Sequence, residues 1–380
     1  MKKTYIVSGG TGFVGNNVVR ELAQSGADVR TLVRSQEKAD AALKGVNAGI
    51  FLGDVRDKDA VEKLFDGLEN SEVVFIHTAS VVLIGGNKKQ YKTMDDINCN
   101  GVKNIIEACL KHKARLLYVS SVHAITEPPR RGLTTEIENF DPQSVTGKYA
   151  KSKARASALV MDAIKTRGLD AVLVHPSGIT GPYDYSDTHL TQMVIDYMEK
   201  RIPAAVNGGY DFVDVRDVAG GIIKAAEKGK TGDRFLLSNK YYSVKEMLTM
   251  LHEITGGKKI NLTLPMWLAY FSLPFLSAYF KLCGKRPLYT AYSLYTLNSN
   301  SNYSHEKASR ELGYTPRGLR ESLIDTVKFI NENNLAVTQG KYIYSKYLSR
   351  RHGGYEVHGE KFKISPCPPW SLCLCVRYFI

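Results

Sequence analysis

The stretch Ser8-Gly9-Gly10-Thr11-Gly12-Phe13-Val14-Gly15 lies between a β-branched run, Thr4–Ser8, and a helical pattern, Asn16–Gln24. Its glycines satisfy both G-x-G-x-x-G and G-x-x-G-x-x-G. In a strand-to-helix turn of this kind, glycines permit a tight bend and let a pyrophosphate approach the amides of the helix N-terminus. A turn with a purely structural role is the alternative. The stretch predicts a dinucleotide site whose contacts are Gly9, Gly12, Phe13, Val14 and Gly15.

Outward from this loop, the first half of the chain alternates short apolar runs with helical patterns. The runs typical of strands are Thr4–Ser8, Asp28–Val33, Glu72–His77, Arg115–Ser120 and Asp170–His175. The patterns typical of helices are Asn16–Gln24, Val61–Leu68, Asn100–His112 and Lys148–Thr166. Strands that alternate with helices indicate βαβ units, whose right-handed crossovers build a parallel sheet with helices on both faces. The predicted fold class is α/β, a doubly wound parallel sheet of the Rossmann type with a smaller, mostly helical substrate domain.

The pattern changes after Pro176. Pro182, Tyr183 and Tyr185 suggest inserted segments that face a substrate. The short runs Asp211–Asp214 and Arg234–Leu237 are assigned to the edge of the same sheet. The remaining helical patterns are Val215–Ala226, Ser243–Thr255, Leu264–Leu282, Tyr289–Leu297, His305–Leu312 and Leu319–Asn331.

These patterns predict three regions. Residues 1–180, joined by residues 211–240, form the dinucleotide-binding domain, and residues 181–210 and 241–334 form a substrate-binding domain. Residues 335–380 form an atypical tail without regular structure, which we expect to be dispensable for catalysis. In this tail, Cys373-x-Cys375 with Cys367 lacks the second pair of ligands that a zinc site requires, so no metal is expected.

One apolar segment of the substrate region resembles a membrane helix at first sight. No residue from Leu264 to Phe280 is charged, but Pro265 and Pro274 interrupt the segment, and it is shorter than the ~20 residues that span a bilayer. We interpret it as a buried or pocket-lining helix pair. An interfacial membrane contact through residues 264–282 is the alternative.

Composition indicates a soluble, enzyme-sized protein. Of 380 residues, 43% are hydrophobic and 23% are charged, close to ordinary globular values. The net charge of +13 bears on nonspecific association rather than on catalysis, and we predict no nucleic-acid partner from it. The cysteines are too few for a disulfide framework, and Cys99 and Cys109 lie roughly 15 Å apart on one predicted helix. Because no signal-peptide pattern precedes Tyr5, we expect a cytoplasmic location.

The end of the second predicted strand distinguishes between the two nicotinamide coenzymes. An acidic side chain there binds the ribose 2′-hydroxyl of NAD(H), whereas a basic side chain suits the 2′-phosphate of NADP(H). The chain reads Leu32-Val33-Arg34, the first carboxylate after it is Glu37, and Lys38 adds a second cation. This pattern favours NADP(H) over NAD(H). An Arg34 that merely caps the strand end in solvent is the alternative.

Tyr149 and Lys153 are four residues apart at the start of a predicted helix, so both project from one face. A phenol has a pKa of about 10 and becomes a useful acid or base at neutral pH when a cation stabilises its phenolate. Upstream, Ser121 follows a predicted strand, at the edge where parallel sheets bind ligands. Each motif alone is common. Their order after a dinucleotide loop predicts a site that transfers a proton to or from a substrate oxygen.

With these motifs the chain resembles the extended short-chain dehydrogenase/reductases of the NAD-dependent epimerase/dehydratase superfamily. It is most similar to the dihydroflavonol-reductase-like and 3β-hydroxysteroid-dehydrogenase-like branch, over about residues 3–333. The stretches that carry the resemblance beyond the glycine loop are Gly53–Val55, His77–Ser80, Asn98–Asn104, His175–Pro182 and Asp211–Ala219. The further coenzyme contacts that the resemblance implies are Arg34, Asp54, Val55, Thr78, Ala79, Ser80, Asn98, Tyr149, Lys153, Pro176, Ser177 and Ile179.

The resemblance also implies a role for each of three catalytic side chains. Tyr149 exchanges a proton with the substrate oxygen, Lys153 lowers the pKa of Tyr149 and binds the nicotinamide ribose, and Ser121 orients the carbonyl. The expected function is an NADP(H)-dependent oxidoreductase that reduces a carbonyl or oxidises an alcohol of a small-to-medium, partly apolar substrate. Specificity is expected from residues 182–204 and 264–297. His123 and His175 are interpreted as structural, with a substrate contact by His123 as the alternative, and a homodimer is left open.

Two other functions compete with this one. A nucleotide-sugar epimerase or dehydratase uses the same three residues but keeps NAD tightly bound. Arg34 disfavours NAD, and Val122 and His123 stand where the sugar dehydratases of this superfamily carry an acidic pair. A non-catalytic dinucleotide sensor is the third interpretation, and it predicts a broken set of catalytic residues, whereas Ser121, Tyr149 and Lys153 are all present.

Overall fold

The computed structural model of the chain describes residues 2–83, 85–128, 132–186, 188–282 and 289–335, with the backbone alone at 279–281. The tail predicted at residues 335–380 lies outside the described residues from 336 onward, and so do Cys367, Cys373 and Cys375.

The strands and helices follow one another along the whole described chain. The strands are β1 (Lys2–Ser8), β2 (Asp28–Val33), β3 (Gly49–Leu52), β4 (Ser71–His77), β5 (Arg115–Val119), β6 (Ala171–Pro176), β7 (Gly178–Thr180), β8 (Ala205–Val206), β9 (Gly209–Asp214), β10 (Arg234–Leu237), β11 (Lys240–Ser243) and β12 (Thr263–Leu264). The α-helices are α1 (Phe13–Gln24), α2 (Gln36–Ala42), α3 (Lys58–Glu62), α4 (Lys88–Asp95), α5 (Gly101–His112), α6 (Lys148–Arg167), α7 (His189–Met198), α8 (Val215–Lys228), α9 (Val244–Thr255), α10 (Met266–Leu282), α11 (Ala291–Asn298), α12 (Glu306–Leu312) and α13 (Leu319–Glu332). Short 3₁₀ turns lie at Lys63–Phe65 and Val122–Ala124, and a π-helical turn at Asp96–Asn100 precedes α5.

The main sheet has seven parallel strands in the order β10-β6-β5-β4-β1-β2-β3. The chain moves outward in one direction from β1 to β3 and in the other from β4 to β10. Between β1 and β4 the order reverses, and a ligand crevice opens at the carboxyl edge of a parallel sheet at such a point. The predicted α/β fold with a doubly wound parallel sheet is confirmed.

Alternate residues of each strand pack on opposite faces of this sheet. On β1 and β4, Ile6 and Phe75 belong to one hydrophobic cluster, and Val7 and Ile76 belong to the other. Helices α5 and α6 cover the first face, while α1 and α8 cover the second. Because both faces are buried, the strands are nearly continuous apolar runs, as expected for parallel sheets between helical layers.

The region after Pro176 differs from the expectation in one strand. Arg234–Leu237 does join the edge of the main sheet as β10, parallel to β6. Strand β9, however, pairs with β7 and β11 in a separate three-stranded sheet. The assignment of Asp211–Asp214 to the main sheet is therefore wrong. The reason is that β7 begins one residue after β6, and β9 pairs with β7 rather than with a strand of the main sheet.

The apolar segment at residues 264–282 also differs from the expected helix pair. A single helix, α10, continues through Pro274. Its inner face packs with β8 and α11, where Ala269 is fully buried beside Leu294 and Val206. Its outer face, which includes Trp267 and Phe271, is exposed. Among the described helices, none combines the length and hydropathy needed to span a bilayer.

Candidate active site

The glycine loop connects β1 to α1 at the carboxyl edge of the sheet. Gly9 has a φ of +82°, a conformation that favours glycine, and a Cβ there would lie 2.9 Å from the Cα of Ala79. A Cβ on Gly15 would lie 2.3 Å from the Gly9 carbonyl oxygen and 2.6 Å from the Thr78 Oγ1. The Gly12 N–H donates to that same carbonyl at 2.8 Å. Glycine is therefore required by the internal packing of the loop at both positions.

The N-terminus of α1 is the part of this loop that suits a phosphate. Gly12 is its N-cap residue, no side chain caps the helix, and the first turn, which begins with Phe13 and Val14, contains no acidic residue. Amides in the first turn of a helix bind anions because they lack acceptors within the helix and lie at the positive end of its dipole. The loop thus fits the pyrophosphate of a dinucleotide, and the residues at 9–15 would hold it.

The positions expected around the adenosine lie beyond β2 and β3. Arg34 follows β2 and is exposed to solvent. The Arg56 guanidinium donates to the Asp54 carboxylate, with 2.8 Å from Nε to Oδ1 and 3.0 Å from Nη2 to Oδ2. This pairing, together with a weaker effect of the Arg34 charge, lowers the pKa of Asp54. Val55 is buried and packs against Gly101 at the start of α5. A cation at position 34 therefore lies near an Asp54 that is already paired.

Asn98 lies in the π-helical turn before α5, and its amide has all four of its hydrogen bonds. Its Oδ1 accepts from the Val81 N–H at 2.8 Å and from the Ser80 hydroxyl at 3.2 Å. Its Nδ2 donates to the Val81 carbonyl at 3.0 Å and to the Ser152 hydroxyl at 3.1 Å. An asparagine amide has no further strong bond to offer. The expected contact between Asn98 and the coenzyme does not match this arrangement, in which Asn98 connects the segment after β4 to helix α6.

The three expected catalytic residues lie together where β5 meets α6. Ser121 follows β5 and its side chain accepts from the His123 N–H, so it caps the short turn at Val122–Ala124. Tyr149 and Lys153 occupy the first turns of α6, and all three side chains are buried. A hydrogen bond joins the Ser121 and Tyr149 side chains. Lys153 Nζ donates to the Val119 carbonyl at the end of β5, at 3.0 Å.

Burial controls the protonation of this group. It raises the pKa of Tyr149 to about 12, an effect that the hydrogen bond from Ser121 opposes. It also lowers the pKa of Lys153 to about 7. At neutral pH the phenol is therefore protonated and can act as a proton donor. The sequence attributed the tuning of Tyr149 to Lys153, but in these described residues burial and Ser121 act on the phenol.

A group of aromatic rings lies beside Tyr149. The half-buried His123 ring lies edge-on to Tyr149, with 6.0 Å between centroids, and stacks on Tyr210 at 5.8 Å. The Tyr292 ring lies 6.1 Å from His123 and packs against Gly147, where a Cβ would lie 2.2 Å from the ring. Tyr303 lies 6.2 Å from Tyr210. We refer to His123, Tyr210, Tyr292 and Tyr303 as the aromatic cluster.

The aromatic cluster has polar atoms as well as ring faces. The Tyr210 hydroxyl is 3.2 Å from His123 Nε2 and 3.3 Å from the Tyr303 hydroxyl. Removal from water lowers the pKa of His123 to about 4 and raises the pKa of the three phenols well above their usual values. A cavity of about 90 Å³ lies beside His123 and Tyr303. The cluster thus presents neutral rings with a few hydroxyl groups next to Tyr149.

Sequence reasoning did not find this cluster. It interpreted His123 as structural, and it expected the aromatic residues after Pro182 to face a substrate. Instead, Tyr183 packs under the Arg20 guanidinium, 4.4 Å from its ring centroid, and both Tyr183 and Tyr185 contact Phe329. Only the contacts between distant segments distinguish the two groups of rings. A tyrosine-rich helix, α11, was the one signal in the sequence that could have indicated the cluster.

The remaining expected coenzyme residues connect β6 to β7. Pro176 ends β6, and the Ser177 hydroxyl donates to the Asp211 carboxylate. Asp211 also accepts from the Asn239 N–H at 3.0 Å. Burial raises the pKa of Asp211 to about 6, against the effect of these hydrogen bonds. Ile179 lies in β7 and is half-buried. This segment is thus fixed at the carboxyl edge of β6, next to β5 and Ser121.

Several known proteins are similar to this chain in sequence or in fold. A model of the NAD dependent epimerase/dehydratase family matches residues 5–238. A putative dihydroflavonol 4-reductase of Synechocystis sp. is 30% identical over 345 residues, covering 89% of this chain and 98% of the relative. Sterol demethylase protein B of Methylococcus capsulatus is 29% identical over 338 residues, covering 87% and 99%. The crystal structure of gox2253 superposes with a TM-score of 0.73 at 28% identity, covering 87% of this chain and 98% of that one.

Proposed function

The chain belongs to the NAD dependent epimerase/dehydratase family, as its motifs predicted, and is an NAD(P)-dependent enzyme; within that family we propose that it is an NADP(H)-dependent reductase of apolar carbonyl compounds. The observation that carries this proposal is the Tyr149 phenol, which is buried beside Ser121 with the His123 ring of the aromatic cluster 6.0 Å away. When bound, the nicotinamide supplies the hydride or accepts it.

The chain's own residues supply position and a proton. Ser121 donates to the substrate oxygen and orients it, and Tyr149 gives that oxygen its proton as negative charge develops on it. Lys153 Nζ lies 3.0 Å from the Val119 carbonyl oxygen, and burial lowers its pKa to about 7. In its charged form, Lys153 would stabilise the phenolate that remains and would hold the nicotinamide ribose. A protonated phenol is the form that can donate this proton in the reductive direction. The same residues would oxidise the alcohol if the proton and hydride transfers ran in the opposite direction.

Selection of NADP(H) rests on Arg34. Its guanidinium is exposed where β2 ends, and the nearby carboxylate, Asp54, is occupied by Arg56. A free acidic side chain is what an NAD-specific site uses to bind the ribose 2′-hydroxyl. The remaining coenzyme contacts that we propose are those of the glycine loop, of Thr78 and Ala79, and of Pro176, Ser177 and Ile179.

The substrate class follows from the aromatic cluster. Its rings offer apolar faces, its phenols are neutral, and none of its members carries a full charge at neutral pH. A nucleotide sugar needs cations for its diphosphate, whereas a planar or alicyclic carbonyl compound buries its surface against such rings. Relatives whose names mention a sterol or a dihydroflavonol are consistent with this class. We propose that residues 181–210 and 241–334 form the region that binds this substrate.

The test is net turnover of free coenzyme. The full chain, mixed with NADPH and a panel of cyclic and aromatic ketones, should consume NADPH in proportion to the alcohol formed, as measured by absorbance and product chromatography. Nucleotide sugars should give neither epimer nor dehydrated product. The proposal is wrong if the purified chain retains NAD through gel filtration and converts a nucleotide sugar with no net change in coenzyme absorbance.

A further inference from the structure

Helix α10 has two apolar faces, and only one of them is covered. Met266, Ala269 and Leu273, spaced by three and four residues, pack in a small cluster with Leu294 of α11 and Val206 of β8. A hydrogen bond of 2.5 Å between the Ser272 and Tyr289 hydroxyls attaches α10 to the segment that precedes α11. The inner face therefore accounts for the position of α10 on the molecule, but not for the residues on the opposite face.

The outer face consists of large rings exposed to solvent. Trp267, Phe271 and Phe275, spaced by four residues, expose 69%, 65% and 65% of their surface, and Tyr270 lies among them. The Phe271 and Phe275 rings are 5.8 Å apart. Isolated exposed apolar residues are ordinary, but a continuous row of aromatic rings along one helix marks an interaction surface. We refer to Trp267, Tyr270, Phe271 and Phe275 as the outer aromatic row.

The charge of the surrounding segment indicates what covers this row. Residues 254–305 contain no Asp or Glu, and their cations are Lys258, Lys259, Lys281, Lys285 and Arg286. Lys258 and Lys259 are exposed just before β12, which leads into α10. A row of Trp and Phe in a segment whose charged residues are all cations is complementary to a surface that is negative outside and apolar beneath. A second copy of the chain would bring the same positive charge against it.

We propose that the outer aromatic row of α10 docks on the surface of an anionic phospholipid bilayer, with Lys258 and Lys259 at the headgroups and the rings at the acyl boundary. The helix lies in the plane of the interface and does not span the bilayer. This inference does not depend on the reductase proposal, since it rests on exposure and charge alone. Docking would bring the aromatic cluster close to the bilayer surface, because α11, which packs against α10, carries Tyr292 of that cluster.

Vesicle binding by the full chain tests this proposal without an activity measurement. Vesicles of equal parts phosphatidylglycerol and phosphatidylcholine should carry the protein to the top of a density gradient, and phosphatidylcholine vesicles should carry much less. Binding should weaken as salt rises, because the Debye length falls from ~30 Å at 0.01 M to ~10 Å at 0.1 M. Trp267→Ser/Phe271→Ser should lower the apparent vesicle affinity about tenfold or more, since two rings no longer enter the interface.

Matched variants separate this effect from a general loss of apolar surface. Tyr241→Ser/Ile324→Ser removes two residues that are 50% and 45% exposed on β11 and α13, and it should bind vesicles like the unmodified chain. Lys258→Glu/Lys259→Glu should abolish the preference for anionic vesicles while keeping the helix rings. Circular dichroism and the thermal midpoint of each variant establish that it is folded.

Two outcomes would overturn the proposal. One is failure of the folded, unmodified chain to bind anionic vesicles at low salt. The other is a concentration-dependent dimer in sedimentation velocity that Trp267→Ser/Phe271→Ser converts to a monomer, which would make the row an interface between two copies. NADPH affinity, measured by fluorescence titration of the same preparations, should be unaffected by the Trp267 and Phe271 changes, because the proposed coenzyme contacts all lie between Gly9 and Ile179. Failure here is therefore separate from failure of the reductase proposal.

Discussion

Asn98 and Tyr149 are connected through a single hydroxyl group. The Asn98 Nδ2 donates to the Ser152 Oγ at 3.1 Å, and that hydroxyl donates to the Tyr149 carbonyl at 2.8 Å. The other bonds of the Asn98 amide hold Ser80 and Val81 after β4. One buried side chain therefore sets the position of helix α6 relative to the carboxyl edge of the sheet.

Asn98→Ala should destabilise the protein and lower its turnover. It leaves both backbone groups of Val81 and the Ser152 hydroxyl without this partner, which should lower the free energy of unfolding by about 2–3 kcal/mol. Denaturant unfolding of the folded chain measures this change. Asn100→Ala is the matched control, because Asn100 is exposed and its side chain donates to Asp96 within its own turn, and it should change stability by less than about 0.5 kcal/mol. Equal effects of the two changes would contradict the role given to Asn98.

Tyr149→Phe should remove the proton donor and keep the ring. We expect turnover to fall by about 10²–10⁴-fold, while the affinity for coenzyme changes little. Steady-state kinetics and fluorescence titration of the same variant separate the two effects. Tyr197→Phe, which removes the phenol bonded to the Lys258 carbonyl, is a control for the loss of a hydroxyl elsewhere. Turnover within a few-fold of the unmodified enzyme would exclude Tyr149 as the donor.

Arg34→Asp should reverse the preference between coenzymes. A charge-assisted contact with the 2′-phosphate is worth about 1.5–3 kcal/mol, so NADPH affinity should fall about 10–150-fold, whereas NADH affinity should hold or rise. Titration of each coenzyme against each variant measures this. Lys44→Asp makes the same change of charge at an exposed position after α2 and should leave the ratio of affinities unchanged. Tighter NADH than NADPH binding by the unmodified chain would contradict the assignment of Arg34.

Acid should destabilise the coenzyme-free protein through buried imidazoles. Burial, with smaller effects of Arg234 and Lys153, lowers the pKa of His175 to about 3, whereas its usual value is 6.5. The unfolded chain therefore binds more protons below pH 6.5, and stability falls as the pH decreases toward the folded pKa. Because of this one histidine, the free energy of unfolding should be about 2 kcal/mol lower at pH 5 than at pH 7.

His175→Phe should remove this contribution to the loss of stability at pH 5, because it removes the imidazole that takes up the proton. The new ring can still stack on Phe140, whose ring centroid lies 5.3 Å from that of His175. Denaturant unfolding at pH 7 and pH 5 gives the difference for each variant. Phe140→Leu disturbs the same stack but leaves the imidazole. It should lower the free energy of unfolding at both pH values and leave the difference between pH 7 and pH 5 unchanged. An unchanged pH difference in His175→Phe would show that this imidazole is not responsible.

Local sequence signals determined most strands of the dinucleotide-binding half of the fold, with β3 as the exception. Short apolar runs between helical patterns placed β2 at Asp28–Val33 and β10 at Arg234–Leu237, the bounds that the structure has. The spacing of Gly9, Gly12 and Gly15 was enough to predict the turn between β1 and α1. The contacts in this turn are made within the loop itself or with the segment that follows the neighbouring strand β4. The four-residue spacing of Tyr149 and Lys153 likewise follows from helix geometry alone.

The misses are of two kinds. Helices α2, α4 and α7 and strands β3, β7, β8, β11 and β12 were not predicted. These strands have only two to four residues, α2 and α4 are short and mostly polar, and α7 follows a loop with several turn-forming residues. Strand β9 was predicted as a strand but in the wrong sheet. Its apolar pattern is the same in either sheet, and only the side chains that become buried together, such as Asp211 with Ser177, decide which partner it takes.

The aromatic cluster was decided by tertiary structure alone. His123, Tyr210, Tyr292 and Tyr303 meet around Tyr149 from segments far apart in sequence, and no local period relates them. The sequence likewise identified α10 as apolar but could not tell which residues of it are covered. That depends on the surfaces that β8 and α11 offer to it, and these bury Ala269 while leaving Trp267 exposed. Sequence determines what each element is, because local propensity and period act within it; packing between distant elements determines what each face meets.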